Sequence, residues 1–250
     1  MNKATLIKIF LRSLFIHTTL NFRRMQNLGF AMSIIPLIRE WQKQNKDVEE
    51  ILLRHLQMFN THPYFSAPVI GSIVRLEADY AGSGAVPDTV AVKQSLMGPY
   101  AAIGDILFWG ALRPFAGVFA VILAYTGLII APLAFLLIYT PAHVWVRFKG
   151  FIESYRRGKQ GIEFIRIMDL PRTAIRIRWC LIFILAGLVH WLLQIGAGPF
   201  INTTGIIMKI TILGAILVCF WLINKGISQV YILYSAAAIF LFISWKELLN

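Results

Sequence analysis

The chain has 250 residues, of which 58% are hydrophobic and 14% charged, with 24 Lys and Arg against 12 Asp and Glu. A soluble domain carries about 25% charged residues, so this composition, with a mean hydropathy of +0.67, excludes an ordinary soluble domain and indicates an integral membrane protein. The net charge of +12 does not point to nucleic acid, because the basic residues cluster beside apolar segments, nine Lys/Arg against four acids in 1–54 and nine against three in 147–178. Such positive flanks stay in the cytoplasm and face anionic headgroups.

Residues 3–20, KATLIKIFLRSLFIHTTL, space Leu6, Ile9, Phe10, Leu14 and Phe15 at helical intervals, with Lys3, Lys8 and Arg12 largely elsewhere. The pattern fits an amphipathic helix in the membrane interface, and also a cytoplasmic helix without lipid contact. It is not a clean signal peptide, since Arg12 and His17 interrupt the apolar run and no small-residue cleavage site follows. Helical patterning continues over 21–58. Pro36 kinks or ends its first part, Asp47 is the expected N-cap of the second, and Glu49 and Glu50 suit that helix's first turn. Residues 59–65, FNTHPYF, predict a turn: Asn60 and Thr61 can bond nearby backbone, and Pro63 disfavours helix at His62. A mostly apolar helix is expected over 66–78 and a flexible loop over 79–88.

The stretch 93–114, KQSLMGPYAAIGDILFWGALRP, is the most informative. A small-residue loop (Gly98, Pro99, Ala101, Ala102, Gly104) is expected to carry Asp105, framed by Lys93 and Arg113. It runs into residues 114–146, which contain no Lys, Arg, Asp or Glu. Charges this near a membrane segment are costly unless paired, in an aqueous cavity or at the interface. Gly and Pro predict broken helices, which membranes tolerate where the backbone is buried in protein or lines a cavity. Together these features suggest a transport site more than an anchor. Asp105 reads either as a substrate contact or as a helix N-terminal acid paired with Lys93 or Arg113. Trp109 reads either as a sugar-stacking face or as part of the interfacial aromatic belt.

A simple span needs about 20 residues, so 114–146 is one long tilted span or two shorter segments, with possible breaks at Pro132 and Pro141. Three further apolar blocks follow at 179–195, 206–224 (interrupted by Lys209) and 229–245, each only just long enough to cross. With the basic linker 147–178 in the cytoplasm, the C-terminus would lie outside. The division expected is an amphipathic, cytoplasmic or interfacial region 1–58; a core 59–146 with re-entrant or broken helices; the basic linker 147–178; and C-terminal transmembrane helices 179–250. The fold class is all-α, a polytopic membrane protein with N-terminal amphipathic helices and Gly/Pro-interrupted transmembrane helices.

No catalytic constellation is present: there is no P-loop, GxSxG or HExxH, and no Cys/His set with zinc spacing. Cys180 and Cys219 sit in apolar segments and read as packing residues. Among His17, His55, His62, His143 and His190, none has an acid at an obvious orienting position. His62 is the candidate of interest, because it neighbours Asn60 and Thr61 in a turn.

Three blocks resemble the IID membrane component of the mannose-family phosphotransferase system. RSLFIHTTLNFRRMQNLGFAMSIIPLIR (12–39) is similar to its opening RS-aromatic…N-x-x-R-M-Q-x-L-G-F…P pattern. RHLQMFNTHP (54–63) resembles its R-H-L-x-F-F-N-T-x-P block, and 93–114 resembles its K-x-x-L-M-G-P-L-A-G-I-G-D-x-x-F-W-G-T-x-R-P signature. The match covers about residues 10 to 165, in the right order and spacing. Tyr100 stands where the family favours Leu, and Ala102 where it favours Gly. The family often has Gln where Ile16 or His17 falls, and the chain is shorter than many members.

The resemblance implies a non-catalytic subunit with no phosphorylated residue and no cofactor or metal, placed multi-pass in the cytoplasmic (inner) membrane. It implies an obligate hetero-oligomeric partner, the IIC membrane subunit, and soluble IIA and IIB proteins that relay phosphate through histidines to a hexose-like sugar. Membrane lipid is a further partner and nucleic acid is not. Transport would move a core domain against a scaffold. Sugar hydroxyls need hydrogen-bond partners, so Asn60, Thr61, His62, Lys93 and Asp105 are the expected substrate contacts, with Trp109 as a stacking face. Arg113 is expected to hold Asp105 or lipid headgroups, and Gly98, Pro99 and Gly104 to shape the backbone. The competing reading is a non-transporting scaffold or regulatory subunit of an incomplete phosphotransferase system.

Overall fold

The computed structural model describes residues 1–42, 49–81, 88–196 and 203–248, and among these every regular element is helical. The only pairing of strand type among them is a pair of isolated bridges, Asn21 with Met25 and Met25 with Phe59. The chain divides into two compact units, Met1–Leu185 and Ala186–Asn250.

The first unit opens with α1 (Lys3–Ser13), α2 (Asn27–Gln42), α3 (Glu49–His55) and α4 (Ser66–Tyr80). Asn2 caps α1 by accepting from the Ala4 amide at 3.2 Å, and Glu49 and Glu50 occupy the first turn of α3. These oxygens and charges meet amide N–H groups that a helix start leaves unpaired. Pro36 lies inside α2 without ending it. Asp47, the expected N-cap, and most of the expected loop 79–88 lie outside the described residues.

Next come α5 (Thr89–Gly104), a π-helical segment (Asp105–Leu112), α6 (Arg113–Tyr125) and α7 (Ala131–Arg157). The expected small-residue loop at 98–104 is therefore a correction: Gly98, Pro99 and Gly104 lie within helix α5, with Pro99 in its interior. Ala101 and Ala102 are strong helix formers, and the interruption takes the form of Pro99 and the wider π turns instead of a chain break. Residues 114–146 resolve into two helices. The break falls at 126–130, just before Pro132 in the first turn of α7, while Pro141 sits inside α7. α7 also continues through the first eleven residues of the basic linker. Among the described residues, two helical stretches are long and apolar enough to cross a membrane: Thr89–Tyr125, with mean hydropathy 1.9, and Ile165–Trp191, with 1.6.

α4 and α7 pack along each other. A Cβ on Gly71 would sit 2.6 Å from the Phe151 carbonyl oxygen, and one on Gly150 2.6 Å from Pro68 Cγ. Small residues let two helix backbones approach this closely in membrane proteins. The core gathers Ile9, Phe30, Ile34, Leu37, Phe59, Phe65, Ile70, Ile73 and Phe108, all fully buried. After a 3-10 turn at Gly158–Gln160 and the short α8 (Gly161–Ile167), α9 (Leu170–Gly196) carries Arg172, Arg176 and Arg178 on the same helix as the apolar block that follows.

The second unit holds the end of α9 and the helices α10 (Thr203–Asn224) and α11 (Gln229–Leu248). At about 1.5 Å per residue, their 22 and 20 residues match a hydrocarbon core about 30 Å thick. Leu213, Leu217, Phe220, Trp221, Leu233 and Phe242 are exposed along them.

Candidate functional site

The run Arg24–Asn27 holds the turn that follows α3 in place. Asn21 and Met25 close a tight loop through paired backbone bonds of 3.0 and 2.9 Å, and Met25 adopts φ 57°, in the left-handed region. That twist turns Gln26 onto the 59–61 strand-like segment. The Gln26 amide N–H donates to the Phe59 carbonyl at 2.8 Å. Its side chain repeats the pattern two residues on: Nε2 donates to the Thr61 carbonyl at 2.7 Å, and Oε1 accepts from the Thr61 amide at 3.2 Å. Gln26 Nε2 also lies 2.8 Å from His17 Nε2. Asn27 and Arg24 donate to the Leu56 carbonyl at 2.8 and 3.2 Å.

The turn so fixed meets the 93–114 helix. The Asn60 amide lies 3.2 Å from Met97 Sδ, and Thr61 Oγ1 donates to the Met97 carbonyl at 3.3 Å. His62 is buried and packs against Gly104, where a Cβ would collide with the imidazole ring. The ring also stacks on Phe108 at 5.4 Å between centroids and lies 4.8 Å from Trp109. His62 Nδ1 accepts from the Tyr64 amide at 3.2 Å, which places the proton of the neutral ring on Nε2. Nε2 is buried and has no hydrogen-bond partner among the described residues. Burial, reinforced by Arg147 and His17, pushes the His62 pKa down to about 4, so the ring is neutral at physiological pH.

Behind His62, Tyr64 gathers polar groups from α7. His143 stacks on its ring at 4.4 Å, the Arg147 guanidinium lies 4.7 Å from the ring centre, and the Tyr139 hydroxyl donates to the Tyr64 hydroxyl at 3.1 Å. In front of it, Asp105 and Trp109 sit four residues apart in the π segment, and both are exposed. π segments free backbone carbonyls and recur at functional sites. Here Arg178 of α9 donates to the Gly110 carbonyl at 3.1 Å and reaches the Ile106 carbonyl at 3.5 Å.

Not every expected contact converges here. Asp105 makes no salt bridge among the described residues, so the expected pairing with Lys93 or Arg113 is corrected. Twelve helical residues separate Lys93 from Asp105, about 18 Å at 1.5 Å each. Arg113 is exposed at the start of α6. Gly98 borders open space.

Lys93 instead is buried, and its charge is felt by His55, which belongs to a buried network with Glu77. His55 Nε2 lies 2.8 Å from Glu77 Oε1, Thr89 Oγ1 donates to the same oxygen at 2.8 Å, and Arg54 reaches Oε2 at 3.3 Å. Burial pushes the Glu77 pKa up, but the bonds from His55 and Thr89 and the Arg54 charge outweigh it and hold the carboxylate ionised. Burial drives His55 the other way, toward the neutral ring. Lys93 is fully buried, with Nζ 5.1 Å from the Phe30 ring centre and no hydrogen-bond acceptor among the described residues. The sequence shows no acid placed to orient His55 and gives no role to Glu77. The available signal was Glu77 among the charged residues Arg75, Glu77 and Asp79 that close the mostly apolar helix SAPVIGSIVRLEADY, since a Glu almost never buries unpaired. Among the described residues, no group of three or more His, Cys, Asp or Glu is arranged to hold a metal ion.

The model of the PTS system mannose/fructose/sorbose family IID component matches residues 1–249. The PTS system mannose-specific EIID component of Escherichia coli (strain K12) is 35% identical over 153 residues, which are 60% of this chain and 54% of that protein. The match thus spans about half the length of that curated relative. A cryo-EM structure of the mannose transporter ManYZ with microcin E492 superposes with a TM-score of 0.59 at 27% identity, over 96% of this chain and 95% of that one. A second solved chain, described as a membrane protein, shares the fold at a TM-score of 0.74 and 24% identity, over 96% and 95% of the two chains. A match over the whole length, with the three sequence blocks meeting at one turn, makes this chain a member of the mannose/fructose/sorbose-family IID components of the phosphotransferase system.

Proposed function

We propose that this chain is the IID subunit of a mannose-type, phosphoenolpyruvate-dependent sugar phosphotransferase permease. In this reading it forms the translocation unit with a IIC membrane subunit, in the cytoplasmic membrane and crossing it several times. The sugar is delivered for phosphorylation by IIB, which IIA recharges. The observation that carries the reading is convergence. Gln26 of the first block clamps Thr61 of the second, and the second packs through His62 on Gly104 and Trp109 of the third.

The groups that Asp105, Trp109 and His62 bring to this turn suit a sugar. Asp105 offers an acceptor able to take two adjacent hydroxyls, Trp109 offers an aromatic face, and His62 Nε2 offers a donor that is otherwise unpaired. An unsatisfied buried polar group costs about 1–3 kcal/mol, which a hydroxyl at Nε2 would recover. Asn60 and Thr61 contact Met97, Thr61 is also clamped by Gln26, and Lys93 is fully buried, away from the exposed Asp105 and Trp109.

The test is uptake of labelled hexoses in cells without their own mannose-type permease, expressing the cognate IIC and IIAB with and without this chain. Accumulation of phosphorylated sugar only when the chain is present supports the permease reading. Copurification with IIC but no accumulation for any hexose would replace it with a scaffold role.

A further inference from the structure

Helices α1 and α2 enclose a groove of about 870 Å³ lined by Asn2, Thr5, Lys8, Arg12, Arg39 and Glu40 along with Ala4, Leu11 and Pro36. This volume is in the range of small-molecule sites, about 300–1,000 Å³. Its charges do not balance. Three cations, Lys8, Arg12 and Arg39, face one carboxylate, and that carboxylate is already engaged: Glu40 accepts from Thr5 Oγ1 and, at 3.3 Å, from the Asn2 amide. α1 contains no acid and α2 none besides Glu40. None of the three cations forms a salt bridge among the described residues.

Arg12 also lines a second, smaller groove of about 290 Å³ with Phe15, Thr18, Gly29 and Met32. Its Nη1 donates to the Met32 carbonyl at 3.1 Å, which fixes the guanidinium at the boundary between the two. From there an apolar stripe runs over Ile7, Leu11 and Phe15 of the α1 region and Leu28 and Met32 of the α2 region, each 44 to 64% exposed. A cationic cleft opening onto a strip of exposed hydrocarbon is complementary to an amphiphile with an anionic head. An acidic protein segment would match the cations and leave the stripe in water.

We propose that this groove is a site for an anionic phospholipid. The phosphodiester headgroup sits among Lys8, Arg12 and Arg39, and an acyl chain lies along Leu11, Phe15 and Met32. The site would pin the α1–α2 pair to the charged leaflet and does not depend on which sugar the protein handles. Lys8 and Arg39 are exposed and touch neither the 59–65 turn nor the π segment, so their replacement leaves those elements intact.

The test uses the full chain in neutral detergent with tail-labelled phosphatidylglycerol, tail-labelled phosphatidylcholine of the same chains, inorganic phosphate and a polyglutamate peptide. Each Lys or Arg near an anionic lipid surface contributes enough that losing two lowers binding by about tenfold or more. The expected result is selective retention of phosphatidylglycerol, a loss of about tenfold in the double variant Lys8→Gln, Arg39→Gln, and no displacement by inorganic phosphate. If that variant aggregates, the native chain still decides the matter, because headgroup preference and its weakening with salt require no mutation. Equal retention of the two lipids, or an unchanged double variant, overturns the proposal. Displacement by inorganic phosphate reassigns the groove to a free anion, and tighter binding of polyglutamate reassigns it to an acidic partner protein.

Discussion

The helix running from Thr89 to Tyr125 treats polar groups in opposite ways at its two ends. In α5 the buried face presents Thr89, Lys93, Leu96 and Tyr100 to the rest of the first unit, and the Thr89 hydroxyl enters a carboxylate network built with His55, Arg54 and Glu77. In the π segment Asp105 and Trp109 are exposed, with the acid in no ion pair among the described residues. A protein that pairs its charges internally is investing them in structure. One that leaves an acid and an aromatic exposed near a buried imidazole with one unpaired nitrogen is holding them for something that arrives later. The two ends should therefore separate cleanly under mutation, with stability effects at one and transport effects at the other.

The largest stability loss is expected for Glu77→Ala. Removing one partner of a buried charge network costs about 3–5 kcal/mol, because Arg54, His55 and Thr89 lose their common anion. Thermal unfolding in detergent should show a large drop in midpoint, and a change under about 1 kcal/mol would mean that the network is not an ionised one. Gly104→Ala comes next. The added methyl meets the His62 ring, and overpacking of this kind costs about 1–3 kcal/mol. Because the displaced ring belongs to the proposed site, uptake should fall further than stability. Normal uptake with a displaced His62 would separate the imidazole from function.

The difference between the ends of this helix was only half legible in the sequence. The turn at 59–65 and the helix 66–78 follow from local rules: Pro63 after His62 and apolar runs between turn residues. The network around Glu77 does not follow, because its members come from α3, α4 and the start of α5, and nothing local pairs residues 22 positions apart such as His55 and Glu77. Gly98, Pro99 and Gly104 were read as a loop because Gly and Pro weaken helices. They remain helical because Ala101 and Ala102 favour helix and because Gly104 is required by the approach of His62, a tertiary contact invisible in the sequence. The same error suggested that Lys93 frames Asp105. Within a continuous helix they are far apart.

Acid should sharpen the comparison. His62 is held at a pKa of about 4 in the folded chain against 6.5 ordinarily, so the unfolded chain binds its proton more readily. Stability from this residue is complete above pH 6.5 and declines as pH falls toward 4, by about 3 kcal/mol in all. His55, lowered by burial, adds to the decline in the same direction. Glu77, held below its ordinary 4.5, withdraws its contribution only in more acidic solution. An unfolding series from pH 7.5 to about 4.5 should therefore slope downward in the native protein and less steeply in His62→Gln. Parallel slopes would place the titration elsewhere.

The smallest stability change belongs to Asp105→Asn. The residue is exposed and its carboxylate has no ionic partner among the described residues, so the substitution preserves volume and breaks no ion pair. Surface changes of this kind stay within about 0.5 kcal/mol, and membrane abundance should not move. Uptake should fall nonetheless, because an amide accepts through one oxygen where the carboxylate accepts through two, and its neutral acceptor makes weaker bonds to hydroxyls. A shift in unfolding midpoint as large as that of Gly104→Ala would expose a structural role for Asp105. Unchanged uptake with unchanged stability would remove it from the site and leave His62 and Trp109 as the groups to test.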